Sequence, residues 1–180
     1  MARVVAVLFT GLLMLGPFCG VGWAGGESED GERPSLIQAI QSEAFGPLRV
    51  PGFWEVEEEG GRLQAVETRH AQPAALSLMM VDVGDAVEPA VWWRALVVEA
   101  QAAAPGLRVV SHEALPKRGD ATLSYAVLAA EEGGFARRYG VLVVHGKARV
   151  LLVTLATVAD RFASFAPQAL LLEVLESMHD

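Results

Sequence analysis

The sequence predicts an α+β domain, an antiparallel β-sheet flanked by helices on both faces in an α/β/α sandwich. Three observations lead there. Residues 141–157, "VLVVHGKARVLLVTLAT", read as two apolar strands joined at His145-Gly146, with Val141 and Val143 on one face and Leu142 and Val144 on the other. Neighbouring strand residues point to opposite faces, so a ribbon that is apolar at every position needs cover on each side. The separators "PKRGD", "EEGG" and "HG" between the strand-like runs 107–115, 121–130, 135–145 and 147–157 are too brief for a parallel crossover, which makes those runs antiparallel neighbours. Two helical segments, 88–104 and the carboxy-terminal stretch, are the available covers. Burying one leucine or valine is worth about 1.5–3 kcal/mol, so a wet face on this ribbon would forfeit more than a domain's net stability.

From the amino end, residues 1–24 form a unit of their own. Arg3 supplies a positive start, Val4 to Phe18 an almost unbroken apolar run, and Gly22-Trp23-Ala24 a small-residue exit, the pattern of a secretory signal peptide cut after Ala24. An uncleaved anchor is the second reading, because counting on to Trp23 brings the apolar segment to the roughly 20 residues a bilayer span needs. A lipoprotein modified at Cys19 is the third, opposed by the bulky Phe18 before it. Residues 25–34, "GGESEDGERP", carry glycine and charge without an apolar anchor and read as a flexible leader. A single domain over 35–180 follows.

Within it, Pro34 and Ser35 open a short amphipathic helix carrying Leu36, Ile37 and Ile40. Strands follow at Phe45 to Val50, from Trp54 to the Gly60-Gly61 hairpin and on to Glu67, and through "AALSLMMVDV". Residues 88–104 are the clearest helix: Pro89 suits a first turn, Glu88 the positive end of the dipole, and Pro105-Gly106 the stop. Val91, Ala95, Val98 and Ala102 recur at helical spacing, and Trp92 and Leu96 widen the stripe. The last segment returns to helical spacing at Leu170, Leu171, Val174, Leu175 and Met178, with Ser164 as cap and Pro167 in its first turns.

Charge and cysteine content limit the function classes. Loss of the first 24 residues leaves 13 basic against 22 acidic side chains, a balance that repels nucleic acid and anionic membrane surfaces outside a local patch of opposite sign. Membrane contact is then expected only through an uncleaved amino-terminal segment. Cys19 is the single cysteine, so a mature chain would have neither a disulfide nor a thiolate nucleophile and must be stabilised by packing. Some 155 residues suffice, since a chain of that size buries roughly 68–70% of its unfolded surface.

The order of these elements resembles the PsbP-like family, the lumenal photosystem II accessory proteins, and its exported bacterial relatives of the DcrB-like kind. The stretches that carry the likeness are "FGPLRVPGFWEVE", the long middle helix followed by "RGDATLSYAVL", and the ending "VLLVTLATVADRFASFAPQALLLEVLESM". Together they cover residues 45–178. The "ESM" ending departs from the serine-aromatic ending of the family. The resemblance implies an α/β/α sandwich and a non-catalytic accessory or binding role; no residue here argues for chlorophyll or manganese chemistry.

His70, His112 and His145 form no paired metal motif, and surface or loop positions are the simpler expectation. Glu55, Glu57 and Glu59 share one strand face and could offer oxygens to calcium, although a solvated edge that discourages strand pairing accounts for them more simply. Ser124 and Ser164 lack a nucleophile elbow. The binding candidates are Trp54, Trp92, Trp93 and Arg138. Adjacent indoles on a helix are about 100° apart, so only one of Trp92 and Trp93 can face the core squarely. Arg138 lies in the "ARRY" run, 136–139, a local basic spot in an acidic chain. The expectation is an exported, non-enzymatic accessory domain, periplasmic or extracellular, with a protein or envelope partner and no metal or cofactor. The alternative is an exported metal-dependent or hydrolytic enzyme with a site built from scattered histidines and carboxylates.

Overall fold

The computed structural model describes residues 36–83 and 87–178, so the expected signal peptide and leader lie outside the described residues. In chain order the elements are β1 (Gln38–Ser42), β2 (Gly46–Val50), β3 (Trp54–Glu59), β4 (Arg62–Glu67), β5 (Ala75–Asp82), α1 (Pro89–Ala103), β6 (Arg108–Arg118), β7 (Ala121–Glu132), β8 (Phe135–His145), β9 (Arg149–Val158), a 3-10 turn (Phe162–Phe165) and α2 (Pro167–Ser177). β3 to β9 build one antiparallel sheet of order β3-β4-β5-β9-β8-β7-β6, and β1 and β2 pair separately. Among the described residues no helix is long and apolar enough to cross a membrane.

The expected α/β/α sandwich, PsbP-like in its two helical layers, is not the architecture found. The fold is dominated by strands, and one sheet face is covered by the β1–β2 hairpin together with α2. Phe45, Leu48 and Val50 of the hairpin enter the same core as Leu170, Leu171 and Val174 of α2 and Leu142, Val153 and Leu155 of the sheet. The Arg49 amide donates to Ser177 Oγ at 2.9 Å, which ties hairpin to helix. Among the described residues the opposite face carries α1 alone, seated over Val81, Leu128, Val141, Val143 and Leu152. Seven strands span roughly 29 Å and one helix is only about 10–12 Å wide, so a single helix cannot roof the sheet.

Two further expectations are corrected. The helix foreseen over 34–40 is strand β1 within the described residues, with Leu36 and Ile40 packed on the core. Helical and strand periods fit so short an apolar run equally well, and pairing with β2 decides it. Ser164 is not the cap of the last helix: its hydroxyl donates to the Arg161 carbonyl inside the 3-10 turn, and α2 starts at Pro167 behind Ala166.

The ribbon β8–β9 occupies the middle of the sheet and is buried on both faces. Leu142 is 0% exposed on the α2 side and Val143 4% on the α1 side. Gly140 allows α2 to close on β8, because a Cβ there would stand 3.0 Å from both the Pro167 Cβ and the Tyr125 hydroxyl.

The hairpin is anchored by a carboxylate. Glu58 accepts from the Ala44 amide at 2.9 Å, the Ser42 hydroxyl at 2.8 Å and the Glu43 amide at 3.2 Å. The Ala44 amide first, then the Ser42 hydroxyl, hold its carboxyl below the ordinary value of 4.5. A depressed carboxyl contributes stability above its unfolded value and loses it as pH falls through the folded one. Glu58→Gln is therefore expected to be less stable than the parent at pH 7, with the gap closing below pH 4.5 as the parent protonates. Urea midpoints at pH 7 and pH 3 check this; a gap independent of pH would contradict it.

Candidate functional site

Helix α1 is apolar around most of its circumference, and the sheet takes only one side of it. Trp92, Leu96 and Ala100, at successive turns, form its buried face. The stripe expected to face the core, Val91, Ala95, Val98 and Ala102, lies instead on the outer surface, where Val91 is 46% and Val98 65% exposed. One residue of slip rotates a helix by 100°, and two bulky indoles bury more apolar area than two valines, so Trp92 and Trp93 set the orientation.

Trp92 is buried and meets the His145 ring edge-on, with centroids 6.4 Å apart. His145 is itself buried, and its Nε2 has no hydrogen-bond partner among the described residues. Trp93 is half-buried at the rim and stacks on His112 of β6 at 4.3 Å with an interplanar angle of 17°. Burial holds the His112 imidazole below its usual pKa, which favours the neutral ring at neutral pH. This stack links α1 to the edge strand. Between helix and sheet lies a narrow crevice of about 20 Å³, room for little more than one water, roofed by Trp93, Val97 and Ala100 and floored by Met79, Leu128 and Thr154.

A second cleft, of about 360 Å³, opens where the β7–β8 hairpin leaves the sheet. Arg108, Arg137 and Arg138 line it, beside Glu131. Strand register brings Arg108 to the run that carries Arg138, since both pair with Ala129 from either side.

The other sequence candidates fall elsewhere. Trp54 is 5% exposed and sits in the α2-side core, edge-on to Phe165 at 6.2 Å. His70 lies 3.3 Å from Glu67, past the end of β4. His112 and His145 stand two strands apart, and His145 faces Thr122 whereas His112 faces Ala126, four residues along β7. At about 3.3 Å per residue that offset alone is near 13 Å, too far for one ion with bonds of about 2 Å. Among the described residues no group of three His, Cys, Asp or Glu side chains could hold a metal ion. Glu55, Glu57 and Glu59 do share a face of the edge strand β3 and are exposed, whereas Glu58 turns to the hairpin. The sequence left the outer α1 ridge, the Trp93–His112 stack and the Arg108 contribution unseen. Only the "ARRY" run marked the second cleft.

No family model matches the chain, and no curated protein does. Among solved structures it is similar to a Pseudomonas aeruginosa protein of unknown function, PA94, with a TM-score of 0.54 and 12% identity over 75% of this chain and 92% of that one. It is also similar to LpqN of Mycobacterium tuberculosis, a protein involved in cell envelope biogenesis, with a TM-score of 0.51 and 17% identity over 72% of this chain and 79% of that one. At such identities the likeness is one of fold.

Proposed function

We propose that this chain is an exported, non-enzymatic accessory domain that docks a protein of the cell envelope through the outer face of α1. The observation that carries this is the solvent-facing ridge Val91, Ala95, Val98 and Ala102 on a helix whose inner face is already buried. A second apolar ridge on a helix whose first is buried has no use within the domain, and contiguous exposed apolar surface marks contact sites. The half-buried Trp93 at its margin adds the residue type most enriched in binding hot spots. The secretory pattern of residues 1–24, the PsbP-like order of motifs and the envelope role of LpqN support the same reading.

The test is affinity capture with the full chain from an extract of its own envelope, comparing the parent with Val98→Asp and Trp93→Ala. A charge on the exposed ridge leaves the core intact, so Val98→Asp is expected to fold normally and weaken capture of the parent's partner at least tenfold. Trp93→Ala is expected to weaken it less, and to release His112. Capture unchanged by Val98→Asp, with folding confirmed by circular dichroism, would contradict docking at α1.

A further inference from the structure

The geometry points to a binding site for a phosphate-bearing ligand in the cleft where Arg108 and Arg138 stand on one face of the sheet. It lies apart from the α1 ridge and does not depend on the accessory reading.

Arg108, Ala129 and Arg138 are cross-strand partners in one row of the sheet, on β6, β7 and β8. Cross-strand partners share a face, so the two arginines stand on the same side with only an alanine methyl between them. Their backbones are about 10 Å apart, two strand spacings, a gap two long side chains can close over one anion from opposite sides. Neither the Arg108 nor the Arg138 side chain has an ion pair or hydrogen bond among the described residues. That separates them from Arg118, Arg149 and Arg161, each of which is paired with a carboxylate. Arg137 turns to the other face and reaches Gln72 Oε1 with one terminal nitrogen at 3.3 Å.

Arg137 points to the other face of β8, so the guanidiniums of Arg108 and Arg138 against the single carboxylate of Glu131 leave the cleft with one net positive charge in a chain whose net charge is -8. An uncompensated cationic cleft in an anionic protein raises the local concentration of anions. Two forks approaching from opposite sides address separate oxygens, which a tetrahedral phosphate offers as monoester or diester. The phosphate could belong to a soluble metabolite or to a lipid headgroup.

The full chain is titrated at fixed ionic strength with inorganic phosphate by calorimetry. In parallel it is co-sedimented with phosphatidylcholine vesicles, with and without phosphatidylglycerol. Saturable binding is expected in one arm: phosphate alone assigns a soluble ligand, and binding confined to phosphatidylglycerol vesicles assigns a headgroup. In either arm Arg108→Gln and Arg138→Gln should each weaken binding at least tenfold. Arg108→Lys should fail to restore it, because an ammonium lacks the fork. Arg94→Gln, an exposed arginine of α1, should bind like the parent. Circular dichroism of each variant separates loss of binding from loss of fold. No saturation in either arm, full binding by the Arg108→Gln/Arg138→Gln double variant, or equal loss in Arg94→Gln would overturn the site.

Discussion

Trp54→Ala is expected to lower the unfolding free energy by about 3–5 kcal/mol, the cost of removing a buried tryptophan from a close-packed core. Its indole is 5% exposed and packs edge-on against Phe165, whose ring in turn lies 5.3 Å below the Arg161 guanidinium. Arg161 is bound to Glu67 at 2.9 Å and to the Gln72 carbonyl at 3.0 Å, and Glu67 pairs with Trp54 across β3 and β4. Loss of the indole therefore removes apolar contact and loosens the support of a partly buried ion pair. The urea midpoint reads the effect. A variant as stable as the parent that has lost its partner would return Trp54 to the binding residues.

Leu142→Ala is expected to cost about 2–5 kcal/mol, among the largest effects of any aliphatic truncation in this chain. Leu142 is fully buried on the central strand β8, between Tyr125 and Val153 in register, in the core shared with Leu171 and Val174 of α2. Strands on both sides and a helix above hold its surroundings, so the cavity can relax little.

The β8–β9 ribbon is legible in the sequence because neither of its faces is polar. Val141 to Val144 are apolar at every position, and that alone requires two covers. The antiparallel order of β6 to β9 was equally legible from turn length. The identity of the covers was not. A short run such as Leu36 to Ile40 satisfies both periods, and its strand state depends on β2, a partner that local pattern does not name. The face of α1 was misplaced because valines at 91 and 98 and tryptophans at 92 and 93 offer two overlapping stripes, and only packing against the sheet selects between them. Arg138 was visible as a basic spot, but Arg108 joins it through strand register past a bulge between Val109 and Ser111, which sequence spacing cannot supply. The stack of Trp93 on His112 has the same origin.

Everything proposed for α1 rests on its being the cover of one sheet face, and Val143 reports on that face as Leu142 reports on the other. The decisive measurement is urea unfolding of Val143→Ala beside Leu142→Ala. Both should lose stability, Val143→Ala by about 1.5–3 kcal/mol, with unchanged dependence on urea concentration. A Val143→Ala protein as stable as the parent would mean that the α1 face is open to water and that the helix does not sit where its outer ridge could serve as the docking surface.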